Sequence, residues 1–277
     1  MTTAKGSTTS AAIRQGSSAL VRLGRLGYMA KAMVYVVMGF LATEAALGIG
    51  GGTTDSRGAL RTIGEAPFGK LALGIVMVGL FGYAAWRLTS AVTDAEQRGG
   101  DASGIALRIG DAARGVVYGS LAIWALRFLT SRPATDSNQT RSATDRVLAM
   151  PGGRWIVIAV GLGVIAYAIY QIYRAASRKF LKRLDLSSAK SETKLWIERA
   201  GIFGIAARAI VFGMIGVLFV RAGWTYDPAK AGGIGQSLNA LAREPGGRIL
   251  YGVIALGLIA FGIFELATAR YRVMRAP

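Results

Sequence analysis

The groups that could do chemistry in this 277-residue chain are few. It has 15 Asp and Glu, 33 Lys and Arg, and neither histidine nor cysteine. Disulfides, thiolate nucleophiles and imidazole ligation of zinc or haem are therefore excluded. No phosphate-binding Walker loop, Gly-x-Ser-x-Gly elbow or metal-ligand cluster occurs. Asp55 and Glu65 form the one acidic pair worth naming, and surface solvation accounts for it. The chain reads as non-enzymatic, with no catalytic residue, no metal site and no cofactor.

What the charged residues do show is spacing. Lys31 and Glu44, Arg114 and Arg127, and Arg208 and Arg221 are each thirteen residues apart. Lys70 and Arg87, Arg154 and Gln171, and Arg248 and Glu265 are each seventeen apart. The intervals are apolar or nearly so. A hairpin of two hydrophobic helices, repeated three times, holds these polar residues at fixed depths.

The elements that would position them are membrane spans. The chain is 52% hydrophobic with 38 glycines and a mean hydropathy of +0.41. Six apolar runs stand apart, at 28–49, 69–90, 112–130, 154–173, 202–221 and 249–269. Each is near the ~20 residues that cross a bilayer. The predicted fold is all-α and integral to the membrane, with six transmembrane helices in three pseudo-symmetric two-helix repeats. The predicted segments are a basic cytoplasmic tail (1–20), repeat one (21–97), repeat two (104–180), a basic linker (181–200) and repeat three (201–277). Lys and Arg concentrate on the side of the N-terminus, which places both termini in the cytoplasm and the chain in the inner membrane. The net charge of +18 then reflects topology and attraction to anionic lipid. Nucleic acid is not an expected partner, since no compact basic domain presents a groove.

Depth and phase sort the charges. Thirteen helical steps rise ~20 Å, against ~30 Å of hydrocarbon, so charges at the ends of the odd spans must snorkel, pair or face a wet interior. Thirteen residues also turn the helix by a net ~140°, so both ends cannot line one seam. Lys31, Arg114 and Arg208 are all cationic, as are Lys70, Arg154 and Arg248. Gathered on an axis they would repel, so these six are assigned to lipid headgroups. The sets Glu44, Arg127, Arg221 and Arg87, Gln171, Glu265 mix signs. They are assigned to the interior, with Glu44 pairing to Arg127 or Arg221.

Smaller features repeat too. Pro67, Pro151 and Pro245 fit the first turn of each even span. A short amphipathic turn precedes each, carrying Leu60 and Ile63, Val147 and Leu148, or Leu238 and Leu241. It lies on the outer membrane surface or is an ordinary connection. Gly79, Gly163 and Gly257 precede Tyr83, Tyr167 and Phe261 by one turn, a spacing suited to close helix packing. Trp86 and Trp196 at one side, and Trp124, Trp155 and Trp224 at the other, read as an aromatic belt. The basic stretch 175–200 is too polar to span. It either lies on the inner leaflet with Phe180, Leu181, Leu184 and Leu186 dipping in or is a solvated linker.

Several motifs carry a resemblance to a known family. They are Gly27-Tyr28-x-x-Lys31-x-x-Val34-Tyr35, Asp55-x-x-Gly58-Ala59-Leu60, Pro67-Phe68-Gly69 and Gly79-Leu80-x-Gly82-Tyr83-Ala84-x-Trp86-Arg87. With them the chain resembles the bacterial membrane family called domain of unknown function 1206, from residue 21 to 277. The resemblance implies three tandem two-helix units and no activity. Two functional readings stand. One is a structural or accessory membrane component that contacts lipid, other membrane proteins or a second copy of itself. The other is a small-solute or ion transporter or channel, with its site at the two mixed sets.

Overall fold

The computed structural model describes residues 4–49, 55–130 and 139–273, with side chains at 21–49, 55–130 and 141–273. Nine α-helices are found among them, in the order α1 (Ala4–Leu47), α2 (Ser56–Glu65), α3 (Gly69–Thr93), α4 (Ala102–Thr130), α5 (Gln139–Leu148), α6 (Gly153–Ala176), α7 (Ser191–Thr225), α8 (Ile234–Ala242) and α9 (Gly247–Tyr271). The stretch expected as a tail continues into the first span as one helix. The stretch expected as a linker is mostly structured, because α7 begins at Ser191, well before the apolar run at 202.

Five of these helices are long and apolar enough to cross a membrane: Val21–Leu47 of α1, α3, α6, α7 and α9. They carry large apolar side chains on their exposed faces, such as Leu71, Ile75 and Val78 on α3 or Ile156, Val160 and Ile169 on α6. These are the surfaces of a multi-pass membrane protein, whose apolar faces meet lipid chains. The expected third span, α4, is not among the five. Asp111, Arg114 and Arg127 interrupt its apolar run and lower its hydropathy.

The chain divides into two compact units. Unit 1 comprises Met1–Met33, Ile63–Ser131 and Glu265–Pro277, and unit 2 comprises Val34–Thr62 and Arg132–Phe264. In unit 1, α3 packs along α4 and against residues 23–30 of α1. A Cβ on Gly79 would meet Ala30 and the Leu26 carbonyl, and one on Gly82 would meet Leu23. In unit 2, α6 packs along α7, and Gly257 of α9 lies against Ala207 of α7. Thus the glycine at this repeated position makes the close contact in α3 and α9. In α6 it does not, because Gly163 has open space around it.

The short amphipathic segments are helices that bury one face. Leu60 and Ile63 of α2, Leu148 of α5 and Leu238 of α8 are buried. Leu238 joins Val211, Ile215, Tyr251 and Ile254 in the core of unit 2. Asp55 caps α2, its Oδ1 accepting from the N–H groups of Arg57 and Gly58 at 3.1 and 3.0 Å. The proline after each short helix is not in the first turn of the next, as the sequence suggested. The long helices begin two residues later, at Gly69, Gly153 and Gly247. Proline instead opens a tight turn whose next residue, Phe68, Gly152 or Gly246, is left-handed, with φ of 59°, 75° and 73°. The glycine that follows is required sterically. A Cβ there would run into the carbonyl oxygen of Ile63, Val147 or Leu241.

Phe180, expected to dip into the leaflet, is buried within unit 2, where its ring lies 5.2 Å from that of Phe264. The belt pattern also has an exception. Trp155, Trp196 and Trp224 are exposed, whereas Trp86 is among the most buried side chains.

Candidate functional site

Unit 1 holds a buried ionic network built by four helices and one connector. Its centre is Arg87, near the C-terminal end of α3. Arg87 Nη2 donates to the Tyr28 hydroxyl at 2.7 Å and Nε to the Tyr83 hydroxyl at 3.0 Å. Its Nη1 meets Asp111 Oδ1 at 2.9 Å and Glu96 Oε1 at 3.4 Å. Each nitrogen of this guanidinium therefore meets an oxygen, which offsets the cost of burying it.

Asp111, on α4, collects three cations. Besides Arg87 it accepts from Arg98 Nη2 at 2.6 Å and from Arg114 Nη1 at 2.5 Å. Glu96 collects three as well, taking Arg98 Nη2 at 2.7 Å and Arg272 Nη2 at 2.5 Å in addition to Arg87. Arg272 lies just past the end of α9, so Glu96 ties that end to the α3–α4 connector. The aromatic rings complete the setting. The guanidinium of Arg87 lies 4.6 Å from the Trp86 ring centroid and that of Arg272 lies 5.3 Å from it.

The connector is shaped so that Glu96 and Arg98 reach this network. Asp94 caps α3 in a left-handed conformation. Its carboxylate accepts from the backbone N–H of Arg98 at 2.8 Å and of Gly99 at 3.0 Å, folding the loop around itself. Those two backbone bonds hold the Asp94 carboxyl below the usual carboxylate range. Asp101 then starts α4, accepting from Gly104 N–H and the Ser103 hydroxyl, which lowers its carboxyl in the same way. Arg108 on α4 donates to the carbonyls of Ala91 and Val92 at 2.8 and 2.9 Å, satisfying the C-terminal end of α3.

A second element of unit 1 is a buried pair between spans. Lys31 Nζ of α1 meets Glu265 Oε1 of α9 at 2.7 Å, with both side chains 6% exposed. The ammonium also lies 5.6–5.9 Å from the ring centroids of Tyr28, Tyr83 and Tyr118.

The placement of the sequence-derived candidates is mixed. Arg87, Gln171 and Glu265 are buried, and Gln171 accepts from Arg174 at 3.3 Å. Glu44 is half-buried while Arg127 and Arg221 are exposed. Among the described residues no salt bridge joins Glu44 to Arg221. The cationic set assigned to headgroups divides. Lys31 and Arg208 are buried and Arg114 is half-buried against Asp111. Arg208, in unit 2, donates from Nε to the Tyr35 hydroxyl at 2.9 Å, and its guanidinium sits 4.6 and 4.8 Å from the rings of Phe212 and Phe261. Headgroup contact is thus replaced by internal partners. The like-charge argument that excluded Lys31 and Arg114 from the interior fails because Glu265 and Asp111 neutralise them locally. Lys70 and Arg248 are exposed. Arg154 is half-buried, with Trp155 and Trp224 flanking its guanidinium at 5.2 and 5.5 Å.

Sequence reasoning missed Tyr28, Trp86, Glu96, Arg98, Asp111 and Arg272 as members of a site. Asp111 carried a usable signal. It is an acid inside an apolar run, and such a residue marks a buried partner or a function.

The comparisons agree with the repeat. The chain matches the family described as Domain of Unknown Function (DUF1206) in three stretches, residues 26–94, 109–178 and 203–272. It is also 37% identical over 254 residues to "Uncharacterized protein YxxB" of Bacillus subtilis (strain 168), covering 91% of each chain. No solved structure matches it. Three tandem copies of the matched unit across nearly the whole chain show that this protein belongs to the DUF1206 family.

Proposed function

We propose that this is a non-enzymatic inner-membrane protein with six spans and both termini cytoplasmic, serving as a structural or accessory component in contact with anionic lipid. One observation carries the reading: the buried charges of unit 1 are occupied in holding one another. Asp111 and Glu96 each take three guanidiniums drawn from α3, α4, the connector and the end of α9. Carboxylates shared in this way favour a fixed arrangement of helix ends. The same pairing supports α4 as the sixth span. Its 29 residues rise about 43 Å, and Asp111 with Arg114 enters the bilayer as a neutral pair. The exposed cations Lys70 and Arg248 are the ones left to meet phosphate headgroups.

Topology is tested with cysteine at Thr2 or Pro277, in a chain that has no cysteine of its own. An impermeant thiol reagent should leave both unlabelled in intact cells, and labelling at either end contradicts the orientation.

Transport is the second reading, and the Lys31–Glu265 pair favours it, since ionisable pairs between spans recur along ion and proton paths. Purified protein in planar bilayers bathed in potassium chloride separates the two. The structural reading expects no conductance. A conductance that Glu265→Gln abolishes would replace it with the transport reading.

A further inference from the structure

The network in unit 1 has donors and charge to spare. Among the described residues, the ion pairs of Arg87, Arg98, Arg114 and Arg272 run to two carboxylates, those of Glu96 and Asp111. Lys31 and Glu265 meet one another separately. Three buried N–H groups here have no acceptor among the described residues: Trp86 Nε1, Arg98 Nε and Arg272 Nε. The residues are well enclosed, with Trp86 2% and Arg272 7% exposed and the Arg98 side chain 5%. They are also neighbours, since Arg98 and Arg272 share Glu96 and the Arg272 guanidinium lies over the Trp86 ring.

Buried donors without acceptors are costly, and the cost is greater where a positive charge is also incompletely met. Both deficits are removed by one kind of ligand, a compact anion with several acceptor oxygens. Phosphate chemistry fits, because its oxygens accept from guanidinium and indole N–H together and its charge offsets the surplus. A neutral carbonyl would answer the donors and leave the charge. Among the described residues of unit 1 the buried side-chain acceptor left over, Glu265 Oε2, belongs to a carboxylate whose charge Lys31 meets.

We propose that Trp86, Arg98 and Arg272 form a phosphate-class anion site within the ionic network of unit 1. The anion is either the phosphodiester of an anionic lipid headgroup or free phosphate. The site differs from the exposed cations assigned to headgroups, and it uses the Nε–H groups of Arg98 and Arg272 while their Nη2 atoms stay on Glu96 and Asp111.

The test uses the purified full chain and two probes. Radiolabelled inorganic phosphate is measured by equilibrium dialysis in detergent. Phosphatidylglycerol retention is measured by native mass spectrometry after release from nanodiscs of phosphatidylcholine with or without phosphatidylglycerol. Binding of inorganic phosphate identifies a free anion, and retention of phosphatidylglycerol alone identifies a lipid phosphate. In either case Trp86→Phe, which keeps the ring and loses the N–H, should weaken binding roughly tenfold. Arg98→Lys, which keeps the charge and loses Nε–H, should do the same. Wild-type protein that retains neither probe overturns the proposal without recourse to any variant. Folded variants that bind as tightly as wild type overturn it too.

Discussion

Lys31, Arg114 and Arg208 stand at one position of a repeat, yet the two units settle them by different means. In unit 1, Lys31 takes Glu265 and Arg114 takes Asp111, so each cation is met by a carboxylate. In unit 2, Arg208 rests against Phe212 and Phe261 and donates to the Tyr35 hydroxyl. A repeated position therefore fixes where a charge sits along its helix and leaves open how it is neutralised. The carboxylates stand where the repeats differ in residue, Glu265 at the position of Arg87 and Gln171. Asp111 occupies the position of Tyr28 in repeat one and Ile205 in repeat three, and Glu96 lies in a connector. The network of unit 1 is built on residues at those places, and it is where the polar surplus lies.

The comparison breaks most readily at Asp111. Replacing it by Asn leaves three buried or half-buried guanidiniums short of a shared counter-charge. Loss of one partner from a buried ion pair costs about 3–5 kcal/mol. The melting temperature of the detergent-solubilised protein should therefore fall further for Asp111→Asn than for any change at Arg208. An equal or smaller fall would mean that the carboxylate-based unit is no more dependent on charge than the aromatic one.

Next in size is the Lys31–Glu265 pair. Lys31→Met and Glu265→Leu should each lower the melting temperature, by about 3 kcal/mol in stability terms. The double variant should be more stable than either single one, because it leaves no charge stranded. If the two losses simply add, the pair is not isolated from water as its burial indicates. Arg208→Met should cost less, about 2 kcal/mol, through lost cation–π contact and one hydrogen bond.

The smallest effect sharpens the comparison at the turn before each even span. Unit 2 has Gly152 and Gly246 in the left-handed position, and unit 1 has Phe68, whose side chain is 89% exposed. Phe68→Gly should stabilise the protein by about 1 kcal/mol by relieving the Cβ penalty. Thermal unfolding that shows a loss instead would mean that the Phe68 ring is held by contacts in the membrane.

Much of the architecture was legible because it depends on periodic composition. The apolar runs located the long helices, the Pro-Gly turns their starts, and Leu60, Leu148 and Leu238 the buried faces of the short ones. The fate of the charges was not legible from spacing. Sign alone argued that like cations at one depth repel, which holds only without nearby acids. Glu265 is separated from Lys31 by almost the whole chain, and Arg272 from Glu96 nearly as far, so no local pattern links them. The hydropathy of α4 shows the converse problem. Counting Asp111 and Arg114 as two charges understates how apolar the helix is once they pair.

Glu96 and Arg272 tie the end of α9 to the α3–α4 connector, and a double-mutant cycle across that contact measures the tie. Glu96→Gln, Arg272→Met and the double variant would be compared with wild type by thermal unfolding in one detergent. The account predicts a coupling of at least about 1 kcal/mol, within the range for residues in one salt-bridge network. Strict additivity of the two substitutions would contradict it.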